Sequence, residues 1–330
     1  MATSRTTDVA GALLALALPP LVLVSLALGS AAQASSTGSG CAGRYGWPVA
    51  PFAEPHPVRA NFGDPRTRFA GPQGEDTLLT GSGTFSFHQG VDISAPDGSP
   101  VYAVSSGTVV RARGGRVTVD CGNGRSFQYW HVEPIARVGQ QAVAGKTLLG
   151  FVQPKREHVH LTELANGRAV NPLAAGHIAP YRDATVPRVL GITVRHAANG
   201  HLRFIVDATD TPALAVPGRW HGFPVSPALV TWRIERSGNL VSSGTASDFR
   251  RFVPKNDRFW DTFARGTHQN WPIFAGRKLQ GTPGVYLYRL TTAALAAGTY
   301  SITVTARDTR GNRGVRRLRF GVNGAGLSRP

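Results

Sequence analysis

From Gly90 to Leu164 no helical period is sustained, and this constrains the fold of the chain more than any other feature. Short apolar runs follow one another instead, at Ser99 to Val104, Gly107 to Arg113, Val117 to Asp120, Thr147 to Val152 and Glu157 to Leu164. Phe127, Tyr129 and His131 alternate with Ser126, Gln128 and Trp130, the period of a strand with two unlike faces. Gly114-Gly115 and Gly122-Asn123-Gly124 are tight-turn signals between such runs. The expectation is a compact antiparallel all-β domain.

Tyr181 to Pro187 reads as a connector, and the alternation beyond it is cleaner. Leu202, Phe204 and Val206 alternate with Arg203 and Asp207; Tyr300, Ile302, Val304 and Ala306 alternate with Ser301, Thr303, Thr305 and Arg307. One dry and one wet face per strand is the pattern of packed sheets, and about seven strands point to an immunoglobulin-like β-sandwich. Ala246 to Gly284 interrupts the strands with Phe249, Trp260, Phe263, Trp271 and Phe274. These rings are either core or a glycan-stacking surface.

The start of the chain has another character. Val9 to Ala32 carries no charge and ends at Ala32-Gln33-Ala34, a small-x-small signal-peptidase pattern. Cleavage after Ala34 would make the protein secreted; an uncleaved run would be a membrane anchor, which Pro19-Pro20 disfavours. In an exported chain Cys41 and Cys121 can form one disulfide. Lys and Arg exceed Asp and Glu by 36 to 19, so a wide partner surface should be anionic. The arginines are dispersed and no nucleic-acid module is recognisable, which favours anionic cell-wall polymers over nucleic acid.

Chemistry concentrates in few places. His88-Gln89-Gly90-Val91-Asp92 offers two metal ligands that share a face if the segment is extended. His158 and His160, two apart in a strand-like run, share a face as well. Two His and one Asp suit zinc and leave a coordination position open, as catalytic rather than structural sites do. Further imidazoles beside such a site could exchange protons. Spacing does not decide whether His158 or His160 is the ligand. There is no His-Glu-x-x-His helix and no Gly-x-Ser-x-Gly elbow.

His88 to Asp92, Asp97-Gly98-Ser99-Pro100-Val101, Tyr129-Trp130-His131, the glycines from Gly139 to Gly150, His158-Val159-His160-Leu161, and Asn61-Phe62-Gly63 with Arg66 together resemble the lysostaphin/LytM-type zinc metallopeptidases. The resemblance runs from Val58 to Pro172 and implies the duplicated hybrid motif fold. It implies that His88, Asp92 and His160 bind one Zn2+. It implies that His131 and His158 flank the water and the scissile carbonyl. The implied substrate is a stem or cross-link peptide of peptidoglycan. The approach to the second His pair, Gln153-Pro154-Lys155-Arg156-Glu157, is bulkier and more charged than the family's Gly/Thr-rich one, and the Gly71 to Gly83 loop is long.

The expected order is a signal peptide (1–34), a linker (35–50), the metallopeptidase domain (51–180), a linker (181–187), the immunoglobulin-like sandwich (188–324) and a tail (325–330). Two other functions compete: a non-catalytic wall-binding protein or activator of wall amidases, and a zinc peptidase acting on another exported peptide.

Overall fold

Strand-forming runs separated by turns build nearly all the regular structure of the described residues in a computed structural model of the protein. The structure describes residues 43–68, 84–196, 201–270, 285–292, 294–323 and 326–328. The leader, the Gly71 to Gly83 loop, Cys41, Trp271 and Phe274 lie outside them.

In the first half the strands are β1 (Val58–Ala60), β2 (Pro65–Arg68), β3 (Thr84–Phe87), β4 (Val91–Ser94), β5 (Pro100–Tyr102), β6 (Gly107–Arg113) and β7 (Arg116–Gly122). They continue with β8 (Arg125–Trp130), β9 (Val132–Pro134), β10 (Gln141–Ala142), β11 (Leu148–Val152), β12 (His158–Ala165) and β13 (Arg168–Val170). The main sheet has the order β1-β4-β12-β8-β7-β6-β10, with β13 also on β12. Its pairings are antiparallel throughout. Gly114 and Gly115, at φ +62° and +70°, close the β6–β7 hairpin in the left-handed geometry its two-residue turn requires.

Alternation then sorts the faces. Val91, Ile93, Val109, Val117, Val119, Phe127, Tyr129, Val159 and Leu161 are fully buried on the core side. Burying an aliphatic or aromatic side chain contributes about 1.5–3 kcal/mol. The intervening positions of β4, β8 and β12 are left to polar side chains, and these build the site. Cys121 is disulfide-bonded, and Cys41 is the only other cysteine of the chain.

Residues 181–187 carry no strand. Beyond them come β14 (Arg188–His196), β15 (Leu202–Thr209), β16 (Leu229–Arg236), β17 (Asn239–Asp248), β18 (Leu287–Thr291), β19 (Gly298–Arg307), β20 (Arg313–Asn323) and β21 (Gly326–Ser328). They form two sheets, β14-β15-β18 and β17-β16-β19-β20-β21. Phe204 of the first meets Phe320 of the second with ring centroids 5.4 Å apart.

Residues Ser39–Pro330 form one compact unit. An aromatic core joins the two halves. Phe87 packs on Phe249, Phe259 and Phe263 at 5.7, 5.4 and 5.8 Å, and Phe263 continues to Tyr288 at 5.3 Å. Three rings of the aromatic insertion, Phe249, Phe259 and Phe263, are therefore interior, and the half-buried Trp260 packs edge-on to Phe259 and Phe85. Burial of this much aromatic surface outweighs the open stacking role for Phe249 and Phe263.

Candidate metal centre

The site is a row across three strands. In β12, His160 lies opposite Asp92 of β4 on one side and Trp130 of β8 on the other. Because β12 alternates, His158, His160 and Thr162 share the face that Val159 and Leu161 leave. Asp92 therefore meets His160 by sheet register.

His88 arrives differently. The segment from His88 to Asp92 is not one extended strand: β3 ends at Phe87, the chain bends at Gly90, and β4 starts at Val91. The bend, not strand alternation, turns His88 towards Asp92. A Cβ on Gly90 would stand 2.3 Å from the Leu161 carbonyl oxygen and 2.7 Å from His160 Nε2. The glycine thus makes room for β12 and its imidazole rather than for an ion.

Three atoms converge. His88 Nε2 is 3.1 Å from Asp92 Oδ1 and 2.8 Å from His160 Nδ1, and His160 Nδ1 is 3.0 Å from the same oxygen. The other nitrogen of each ring fixes the tautomer. His88 Nδ1–H donates to the Asn61 carbonyl at 2.7 Å, and His160 Nε2 lies 2.7 Å from Thr162 Oγ1, which can take its N–H. Neutral imidazoles held in this way turn bare lone pairs on Nε2 and Nδ1 towards each other and towards a carboxylate. Three acceptors about 3 Å apart repel unless a cation lies between them, so His88, Asp92 and His160 could hold a metal ion.

The electrostatics agree. Burial, and then Arg66, lower His88 to about 3, which keeps it neutral. Burial opposes ionisation of Asp92, but the facing His88 and His158 and the Arg66 guanidinium outweigh it and hold the carboxyl well below its usual range. Arg66 Nη2 donates to Asp92 Oδ2 at 3.0 Å, leaving Oδ1 for the centre.

The two remaining imidazoles lie beside the row. His158 Nδ1 lies 2.6 Å from the Arg156 carbonyl oxygen and 2.7 Å from Arg59 Nη2, and its Nε2 lies 3.5 Å from Asp92 Oδ1. The His131 ring is 4.5 Å from that of His158 and 6.5 Å from that of His160. Plain alternation would have sent His131 into the core with Phe127 and Tyr129. It instead follows the end of β8 with φ +63°, and this left-handed step brings its ring to the polar side. Burial lowers His131 to about 4, so it too is neutral. All five residues selected from the sequence thus come together. Four of them (His88, Asp92, His131 and His160) line a cleft of about 570 Å³.

Three neighbours had no chemical role in the sequence reading: Arg66, Arg59 and Asn61. Arg59 is buried with Nη2 beside the His158 ring and its guanidinium 3.9 Å from the Trp220 ring. Only Arg66 and Asn61 had a signal, in the Asn-Phe-Gly and Arg resemblance, and it named no contact. The charged approach to His158 is also ordered. Asp97 accepts the N–H groups of Lys155, Arg156 and Glu157, and Arg219 of the second half pairs with Glu157 at 2.9 Å.

A chelating set of two imidazoles and a carboxylate on an antiparallel sheet, with spare imidazoles at its edge, places the chain among proteins with a candidate single-metal centre. Residues 86–172 match peptidase family M23, so the chain carries an M23 domain over that segment. Two curated relatives, each called DD-carboxypeptidase/endopeptidase Mpg, come from Neisseria meningitidis serogroup B and Neisseria gonorrhoeae. Each is 30% identical over 106 residues, which is 29% of this chain and 24% of the relative. The chain thus spans about a quarter of the length of the curated relatives it matches.

Among solved structures, the SpoIIQ–SpoIIIAH pore forming complex includes a chain 25% identical, at TM-score 0.31, over 40% of this chain and 90% of that one. A zinc containing peptidase from Vibrio cholerae is 20% identical at TM-score 0.31, over 41% of each chain. The deep-sea M23 metalloprotease pseudoalterin is 17% identical at TM-score 0.29, over 65% of this chain and 99% of that one.

Proposed function

We propose that this protein is a secreted zinc metalloendopeptidase that hydrolyses peptide bonds in peptidoglycan stem or cross-link peptides. One observation carries the reading: His88 Nε2, Asp92 Oδ1 and His160 Nδ1 converge within about 3 Å, with His131 and His158 beside them and the cleft adjoining. His88, Asp92 and His160 are the ligands. The mixed nitrogen and oxygen donors fit zinc, and three protein ligands leave a position for substrate. Zinc held there supplies the Lewis acidity that polarises a carbonyl and activates water.

The chain's own residues do the rest. Arg66 keeps Asp92 ionised and oriented. In the tautomer with its proton on Nδ1, towards the Arg156 carbonyl, His158 offers Nε2 to accept a proton from the attacking water. His131 is placed to hold the developing oxyanion or to pass a proton to the leaving amine. No covalent enzyme intermediate is required.

The activity of Neisseria Mpg named above supports the choice of peptide bond, and the net charge of +17 supports attraction to anionic wall polymers. The second half serves as an accessory domain. Its order, with the first, second and fifth strands in one sheet and the third, fourth, sixth and seventh in the other, which a short eighth strand extends, supports an immunoglobulin-like topology.

The test is digestion of purified muropeptides by zinc-loaded protein, read by mass spectrometry of the fragments. The wild type should release cleaved cross-links. His131→Ala should keep one zinc per chain and lose turnover by about 10²–10⁴-fold. A fully active His131→Ala protein, or a zinc-loaded wild type that cuts nothing, would defeat the reading.

A further inference from the structure

Three carboxylates from distant parts of the chain meet at the connector between the halves. Asp183 lies in the connector, Asp210 just beyond β15, and Asp308 just beyond β19. One oxygen of each lies within 4.8 Å of those of the other two. Asp210 and Asp308 are only 3% and 5% exposed.

Local hydrogen bonds explain how each group is held. Thr185 donates to Asp183 Oδ1 from both its N–H and its hydroxyl, and the Tyr181 hydroxyl donates to Oδ2 at 3.0 Å. Asp308 Oδ1 accepts the N–H groups of Arg310 and Asn312, and Oδ2 accepts from Asn312 Nδ2. Asp210 Oδ1 accepts the Thr211 N–H at 2.8 Å.

These bonds do not account for the remaining oxygen. Asp210 Oδ2 is buried and has no hydrogen-bond partner among the described residues. Among the described residues, none of the three aspartates forms an ion pair there either. The guanidinium of Arg310, in the same turn as Asp308, lies over the Tyr181 ring, 4.9 Å from its centroid. A buried carboxylate with a bare oxygen, facing two more carboxylates, is strongly unfavourable unless a proton or a metal cation joins it. Burial, with the facing Asp183 and Asp308, pushes Asp210 up to about 8.

We propose that Asp183, Asp210 and Asp308 form a second metal site, for a hard divalent cation, with calcium the best match. The donors are all oxygen, with no imidazole or thiolate, which favours a hard cation over the zinc proposed for the other centre. Three carboxylates on connecting segments suit the adaptable coordination of calcium better than the strict octahedron of magnesium. Bound calcium braces the connector against the ends of β15 and β19. Asn312 Nδ2 already ties the Asp183 carbonyl to that place. The site is independent of whether the M23 domain cleaves anything.

The experiment uses the full chain stripped of metals, with calcium chloride added. Calorimetry should show one calcium bound per chain. Thermal melting at about 10 mM calcium should rise by roughly 3–8 °C for an affinity in the 0.1–1 mM range. The rise should persist in His160→Ala, which separates it from the candidate zinc centre. It should vanish in Asp210→Asn and in Asp183→Asn. Asp210→Asn should also melt no lower than the metal-stripped wild type, because at neutral pH the amide replaces a protonated, uncharged carboxyl of the same shape. A wild type that neither binds calcium nor gains stability overturns the proposal. So does a calcium effect that survives both Asn substitutions, or one that is lost in His160→Ala.

Discussion

The row at His160 and the acidic junction at Asp210 both bring three ligand-type side chains to one point, but by different means. At His160 the backbone does most of the placing. Paired strands set Asp92 opposite His160, and the bend at Gly90 adds His88. Each donor is then aimed by a second bond: His88 by the Asn61 carbonyl, His160 by Thr162, Asp92 by Arg66. At Asp210 the three groups come from non-strand segments, and one carboxylate oxygen is left bare. The first is an oriented mixed-donor set whose metal would be a reactant's partner. The second is an all-oxygen set whose metal would be a brace. Donor type separates the metals the two sites would take, and an open coordination position is what would make the first of them catalytic.

The sharpest way to break the comparison is His160→Ala. It should remove zinc and lower muropeptide cleavage by more than about 10³-fold, since Lewis acidity alone is worth several kcal/mol. The folded sheet should survive, because Val159 and Leu161, not His160, hold β12 to the core; circular dichroism would check this. Metal-free protein with full activity would remove the distinction between the two centres.

Phe249→Ala asks whether the halves are coupled. This ring is fully buried where the two meet, so truncation should cost about 3–5 kcal/mol, read as a lower urea midpoint. A loss below about 1 kcal/mol would mean that the shared aromatic core does not hold the halves together.

Arg66→Gln sharpens the account of how Asp92 is aimed. Zinc affinity should fall about 10–100-fold, the usual cost of losing a partner that orients a ligand, as measured by competition with a chelator. An unchanged affinity would make the 3.0 Å ion pair incidental.

The smallest effect is expected at Arg219. Its pair with Glu157 joins the second half to the loop before His158, but both side chains are more than 40% exposed. Arg219→Ala should change stability by less than about 0.5 kcal/mol by denaturant titration. A larger effect would show that this surface contact matters to the loop as the buried ones do.

Much of this was legible before any coordinates. Period-two alternation and paired glycines gave away the all-β fold because they are local properties of the chain. The five site residues were legible as ligand and proton-transfer types at strand spacing, but the choice of His160 over His158 as a ligand, and the roles of His131 and His158, came only from the family resemblance. Two local inferences were overruled. His88 and Asp92 do not share a strand, and His131 does not follow the alternation of β8. In both cases one residue departs from extended geometry, and every direction after it changes. The aromatic insertion could not be assigned from spacing, since a ring looks the same in sequence whether it faces a glycan or another ring. The Asp183, Asp210 and Asp308 group left no motif at all, being spread over more than a hundred residues.

What the order of residues determined by itself was therefore period and composition: which segments extend, where they turn, and which side chains can bind a metal or carry a proton. Which of these meet was decided only by tertiary structure. Strand register, the bend at Gly90 and the packing of Phe87 on Phe249 join residues that are far apart in the chain. Proximity of that kind follows from burying apolar surface over the whole molecule, and no local window contains it.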